Sequence, residues 1–268
     1  YHLQGVIMEN EGKYLVHHHA REVDPMVRSR VAVLSVALVL VLSLAAAAQE
    51  GIGSKKAYPA SAPIVLDGFA GDWGIAGLEP TLRVDPAFSL VNAGAIADAA
   101  ESSADVYILY DDEYVYLLAN VVDDNVTGPY SGGGSLWQNS AVELWFSFSG
   151  VPADPAQYAF YTAEDYQINL VPMAGGAFAP TAWVYPAAQD AHNINNPIEI
   201  AARLWESPEL SGYVVEARVP KALFPGFSQV TAGGTFRFAV SLVHVDAATA
   251  AWEHIWTPGV EYVTIEVQ

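Results

Sequence analysis

The sequence predicts an all-β fold, an antiparallel two-sheet β-sandwich, over residues 63–268. Three observations predict it. Short apolar runs with period-two alternation recur through this stretch, separated by Gly, Pro, Asn and Asp. No segment beyond residue 48 sustains an apolar period of 3.6 residues with caps, and the one helical turn expected is Lys221–Phe224, just after Pro220. Many strands without intervening helices leave sandwiches and barrels as the layer arrangements that bury an apolar face.

Taken in chain order, Asp67-Gly68 reads as a turn, and Trp73 after it as a core anchor. Asp105–Tyr110 and Tyr114–Val122 flank the acidic triplet Asp111-Asp112-Glu113, which makes a hairpin. Within Ala141–Phe148, alternation puts Val142, Leu144, Phe146 and Phe148 on one face, toward the core. Glu143, Trp145 and Ser147 take the other face, so a carboxylate stands beside a tryptophan on a strand otherwise apolar. Further strands are expected at Tyr166–Val171, Ile198–Trp205, Gly212–Val219, Phe236–Val245 and Tyr262–Val267. Ser131–Ser135, with three glycines just before Trp137, reads as a loop that moves unless something ties it down. No internal repeat is evident.

The region upstream of the strands divides into three. Residues 1–25 lack apolar periodicity and do not begin with Met, and they read as upstream sequence read through in frame. The run His17-His18-His19 falls here. Residues 26–48 have the parts of a secretory signal peptide: Arg28 and Arg30, the apolar stretch Val31–Leu44, and small residues Ala46 and Ala48 at a cleavage position. The expected location is therefore secreted or periplasmic, with no stable membrane insertion once the leader is removed near Ala48. Residues 49–62 read as a polar tether.

Composition narrows the function. The net charge is −19, and residues 1–48 hold four basic and four acidic residues, so the whole excess lies beyond them. Phosphate backbones and anionic membrane surfaces would repel such a domain, which argues against nucleic-acid partners. The chain has no cysteine, which excludes disulfides, thiolate nucleophiles, Cys-ligated zinc, CxxCH haem attachment and a lipobox anchor. All seven tryptophans lie after residue 48. Indole rings beside carboxylates and amides are what a sugar demands, since its C–H faces stack on rings and its hydroxyls need hydrogen-bond partners.

Seven segments in order resemble the family 9 carbohydrate-binding modules and their DOMON-like relatives: IVLDGFAGDW (64–73), VYILYDDEYVYLLANVVDDN (106–125), LWQNSAVELWFS (136–147), YQINLV (166–171), GYVVEARVP (212–220), FRFAVSLVHVD (236–246) and HIWTPG (254–259). The resemblance implies an immunoglobulin-like sandwich that binds mono- or oligosaccharides, or polysaccharide ends, without catalysis. It implies a clamp of two tryptophans, Trp137 and Trp256, with Trp252 competing for the second place. It also implies sugar-hydroxyl acceptors at Asp123 and Glu143. Three positions depart from the pattern: Ser140 stands where Asp is usual, Gln167 where Arg is common, and Ser241 where Gln is common. Gln167 remains a ligand-facing candidate. The resemblance further implies a structural calcium, with Asp67, Asp111-Asp112-Glu113 and Asp123-Asp124-Asn125 as oxygen donors but no set assigned.

Two other readings rank lower. A haem-binding electron-transfer protein would draw on Met173, His192, His244 or His254, and a glycoside hydrolase on Asp123 paired with Glu143. An adhesive surface scaffold shares the same fold.

Overall fold

The computed structural model describes residues 53–149, 162–185, 197–256 and 262–268. Residues 1–48, including the expected leader, lie outside the described residues, as does His192. Thirteen strands appear among them: β1 (Lys56–Pro59), β2 (Leu82–Val84), β3 (Leu90–Ala93), β4 (Ser102–Tyr110), β5 (Tyr114–Asp123), β6 (Ala141–Ser147) and β7 (Asp165–Ala174), then β8 (Ala177–Tyr185), β9 (Glu199–Glu206), β10 (Ser211–Pro220), β11 (Thr235–Val245), β12 (Trp252–Trp256) and β13 (Val263–Val267). The expected helical turn is a 3-10 turn at Lys221–Leu223.

The all-β class is as expected, but the strands do not separate into two independent sheets. One hydrogen-bonded path runs β8-β7-β6-β11-β13-β1-β4-β5-β10-β9, with β12 on β11, β3 on β12 and β2 on β4. The link is β1, which pairs in parallel with both β13 and β4, whereas every other pairing is antiparallel. The two ends of the path, β8 and β9, approach one another, which gives the sheet a nearly barrel-like closure. The segment 49–62, read as a tether, therefore contains a strand. Ala57 is fully buried, and Thr81 anchors β1 by donating its hydroxyl to the Lys56 carbonyl at 2.6 Å. A four-residue strand of mixed polarity gives no period-two signal.

The main core lies between two groups of strands. Val106 and Ile108 of β4, Val115 and Leu117 of β5 and Val215 and Ala217 of β10 meet Leu144 and Phe146 of β6, Ile168 of β7 and Val240 and Leu242 of β11. Parity in β6 is as the alternation predicts: Val142, Leu144, Phe146 and Phe148 belong to this core. The opposite faces of β6, β7, β11 and β12 carry the candidate site.

A second, smaller core forms on the outer side of β4 and β5, where Trp73 packs with Leu109, Tyr116 and Leu118. Its polar centre is Glu216 on β10. One carboxylate oxygen accepts from the backbone amides of Asp67 (2.9 Å) and Gly68 (2.6 Å), and the other from Trp73 Nε1 at 2.7 Å. Gly68 has φ +82° and approaches the β9 backbone too closely for a Cβ, which is why the turn needs glycine there. Burial raises the Glu216 pKa, against the opposing pull of the Gly68, Trp73 and Asp67 donors.

The acidic hairpin turn is built by Asp111. Its Oδ1 accepts from the amides of Glu113 and Tyr114 at 2.8 and 2.7 Å, and its Oδ2 from the Tyr116 hydroxyl at 2.6 Å. Burial pushes its pKa up, but those three donors and Lys221 outweigh it, and the net shift is downward. The Asp111 side chain is thus occupied in holding the hairpin.

Candidate functional site

Strand pairing sets a polar row across the outer face of β8, β7, β6, β11 and β12. Residues directly opposite one another share a face in an antiparallel ladder. Trp183 pairs with Asn169, Asn169 with Glu143, Glu143 with Ser241, and Ser241 with Trp256. One step along, Gln167 pairs with Trp145 and Trp145 with Ala239. The carboxylate predicted to leave the core on β6 thus sits on the central strand of five.

Glu143 is 3% exposed and fully engaged. Its Oε1 accepts from Gln167 Nε2 (3.1 Å) and Asn169 Nδ2 (3.0 Å). Its Oε2 lies 2.9 Å from Ser241 Oγ and 2.7 Å from His254 Nε2, and those two atoms are 2.8 Å apart. Serine, histidine and an acid are therefore in contact, but not as a hydrolytic triad. Both partners meet the same imidazole nitrogen, so the acid cannot orient Nδ1–H while Nε2 takes the serine proton.

Indole rings wall this network. Trp145 (1% exposed) stacks on Trp256 (5% exposed), with centroids 4.3 Å apart and planes at 28°. Farther along β12, Trp252 is 37% exposed and meets the half-buried Trp137 edge to face at 5.0 Å. His254 lies between the two tryptophans of its strand, 6.1 Å from the Trp252 ring and 5.1 Å from Trp256. Trp145 Nε1, Trp256 Nε1 and Gln167 Oε1 are buried polar atoms with no partner among the described residues, although such groups are almost always paired.

The loop carrying Trp137 is tied down. Gly133–Gln138 forms a 3-10 turn, and the Gly133 carbonyl accepts a hydrogen bond from the Tyr185 hydroxyl. A Cβ at Gly133 would come within 2.2 Å of the Trp183 ring, so the ring closes on the loop because that residue is glycine. Asn139 adds bonds to both backbone groups of Tyr130, at 3.0 and 2.9 Å.

The residues expected to act together thus divide. Glu143, Gln167 and Trp256 lie in one network, with Trp137 and Trp252 side by side at its margin. Trp256, expected as one jaw of the clamp, lies buried under Trp145, while Trp252 presents the accessible ring. Asp123 is elsewhere: it faces the core side of β5, where its Oδ1 lies 3.0 Å from His244 Nδ1. Asp123 and Glu143 therefore occupy separate networks on opposite sides of β11 and do not form a carboxylate pair about one substrate. His244 and His254, on opposite faces, are likewise not two ligands of one haem. Ser140 turns away from the network and holds the loop before β6, accepting from the Thr127 amide at 3.1 Å. Asn169, Trp183 and His254 were not singled out as sugar-facing residues, although the alternation Trp252, His254, Trp256 was available to place the imidazole on that face.

A second polar cluster surrounds His244. Burial would lower its pKa, but the hydrogen bond to Asp123 and the nearby carboxyl groups of Asp124 and Glu101 raise it overall. Glu101, His244 and Glu253 form one group with donor atoms within 4.8 Å of each other, and Asp123, Asp124 and His244 another. The expected calcium does not match these donors. Calcium takes six to eight oxygens, whereas an imidazole is shared by both groups. Asp111 and Asp67 are spent on their own turns, the latter accepting from the Phe69 amide at 2.9 Å.

With this geometry established, comparison with known proteins supplies the family. The carbohydrate family 9 binding domain-like profile matches residues 84–259, about two-thirds of the chain. The chain belongs to this family. The match begins in β2 and runs past β12, so it contains every strand of the polar row. Among solved structures, the family 9 domain is similar to a family 9 carbohydrate-binding module from Caldicellulosiruptor kristjanssonii. The form with cellotriose is 16% identical, covering 80% of this chain and 93% of that one at a TM-score of 0.48. The form with glucose is 16% identical, covering 80% and 96% at a TM-score of 0.45. Comparison with curated proteins gave no match.

Proposed function

We propose that this family 9 domain is an exported, non-catalytic protein that binds a saccharide on the outer face of β6, β7, β11 and β12. The observation that carries the reading is the polar row Asn169–Glu143–Ser241 with His254 and Gln167, set between buried indoles and bordered by the accessible ring of Trp252. Family membership supports the ligand class. A pyranose stacks on the outward side of Trp252, and Trp137 braces that ring edge-on. The two rings form a corner in this arrangement. Stacking a sugar between them would need roughly 7–8 Å, two van der Waals contacts of about 3.5–4 Å each, and their centroids are 5.0 Å apart.

The Glu143 carboxylate is a positioning group in this account. Four internal donors use its lone pairs, so it fixes the directions of Gln167, Asn169, Ser241 and His254. Export follows from the leader-like segment at Met26–Ala48. The test is affinity electrophoresis through gels carrying soluble polysaccharides, using wild type and Trp252→Ala. Retardation by at least one polysaccharide, lost in the variant, is expected. Equal retardation of the two proteins would place the site elsewhere on the domain.

A further inference from the structure

The side-chain cluster on the other face of β12 carries an inference independent of sugar binding. Glu101, His244, Glu253 and Asp124 converge at the end of the core. His244 Nε2 lies 3.8 Å from Glu101 Oε1 and 3.6 Å from Asp124 Oδ1, and a Glu253 oxygen lies within 4.8 Å of both His244 and Glu101. We propose that Glu101, His244 and Glu253, with Asp124 on the open side, form a binding site for a divalent transition-metal ion of the zinc type.

Four observations support it. First, Asp123 holds Nδ1 at 3.0 Å, which leaves Nε2 to face the carboxylates. A carboxylate fixing the far nitrogen of a metal-binding histidine is the usual outer support of such sites. Second, Glu253 is nine-tenths buried, its Oε1 accepts from the Ala95 amide at 3.0 Å, and its Oε2 has no partner among the described residues. A Cβ at Gly94, where φ is +78°, would come within 2.4 Å of that side chain, so the loop is shaped to admit it.

Third, the charge balance needs a cation. Four acidic side chains surround one imidazole, and the Arg–carboxylate pairs among the described residues, Arg83–Asp105 and Arg218–Glu199, lie elsewhere. One imidazolium would offset one of the four, whereas a divalent ion on a neutral imidazole offsets two. Fourth, the spacing is close to that required. Ligand atoms of a tetrahedral zinc with bonds of about 2.0–2.1 Å lie roughly 3.3–3.4 Å apart, and the Nε2 distances to Glu101 (3.8 Å) and Asp124 (3.6 Å) exceed this by only a few tenths of an ångström, while the Glu253 oxygen, within 4.8 Å, would have to draw in on binding. Asp124 is exposed and supplies an entry path. A nitrogen donor with few oxygens favours such an ion over calcium. The bound ion would pin β12 from the core side, directly behind Trp252 and His254.

The test is zinc uptake by the chelator-stripped full chain carrying His17→Ala, His18→Ala and His19→Ala, so that the N-terminal histidine run does not contribute. Calorimetric titration is expected to show one zinc per chain and a raised Tm, with no response to calcium at the same concentration. X-ray absorption at the zinc edge should show one imidazole among nitrogen and oxygen ligands. Uptake should be lost in His244→Gln and Glu253→Gln, and weakened about 10–100-fold in Asp123→Asn. No stoichiometric zinc binding, binding unchanged in folded His244→Gln and Glu253→Gln, or preference for calcium would overturn the proposal. If those variants do not fold, absorption spectra of the parent decide it, since a site without imidazole is a different site.

Discussion

Replacing Glu216 by alanine removes the acceptor for three donors at once: the Asp67 and Gly68 amides and the Trp73 indole. Hydrogen bonds to a charged acceptor contribute about 1.5–3 kcal/mol each. They do not sum freely, because deleting the carboxyl group also removes the cost of burying it. Each buried donor left unpaired costs about 1–3 kcal/mol, so with three donors a net loss of about 3–5 kcal/mol is expected here. At roughly 2–4 °C per kcal/mol for a domain of 150–250 residues, Tm should fall by about 6–20 °C. Glu216→Gln should lose less, since one oxygen stays, but its amide group must face an N–H and leaves at least one donor unpaired.

The pH dependence gives a second readout. Burial raises the folded pKa of Glu216 above 4.5, so its stability contribution is complete below that value and is lost as pH rises through the folded pKa. The stability of wild type relative to Glu216→Gln should therefore decline as pH rises from about 4.5. Urea titrations followed by circular dichroism across this range measure it. A loss below about 1 kcal/mol in Glu216→Ala, in the range of an ordinary surface change, would refute the role assigned to this carboxylate.

Other outcomes follow from the same geometry. Gly212→Ala would place a Cβ 2.0 Å from the Val121 carbonyl within the β5–β10 ladder, so a loss of about 1–3 kcal/mol or more is expected in a thermal melt. Arg83→Ala removes an exposed pair with Asp105 and should change stability by at most about 1 kcal/mol, less at high salt. Glu143→Ala leaves the donors of Gln167, Asn169, Ser241 and His254 without their shared acceptor, so both saccharide affinity and Tm should fall together, read by calorimetry on a folded sample.

Much of this fold was legible in the residues. Period-two runs located β4, β5, β6, β7, β9, β10, β11 and β13, and parity in β6 placed Glu143 opposite the core side chains. The missed strands have physical reasons. β8 contains Pro180, which argues against a central strand, and β8 is an end strand of the path where proline is tolerated. Pro172 lies at the register shift between Val171 and Met173, where a bulge accommodates a residue without an N–H. β1, β2 and β3 are three or four residues long, too short for alternation to show.

The site was legible only in part. Alternation shows which residues share a strand face, so Trp252, His254 and Trp256 could be grouped. It does not show how deeply a face is covered, and burial separates the accessible Trp252 from the stacked Trp256. Asp123 closes β5 on its core side, where it meets His244 on a strand 121 residues later; only strand pairing reveals that partner. Glu216 and Trp73, 143 residues apart, were each visible within separate motifs, and the bond between them was not.

The central claim is that the outer-face row with Trp252 and Trp137 binds sugar. Its most direct test is a tryptophan-fluorescence titration of the wild-type chain with a panel of mono- and oligosaccharides, beside Trp252→Ala and Trp137→Ala. The account predicts a saturable shift for at least one sugar. Losing an anchoring ring costs about 2 kcal/mol or more, so affinity should fall at least ~30-fold in Trp252→Ala. No saturable response from a folded wild-type protein, or an affinity unchanged in both variants, would contradict it.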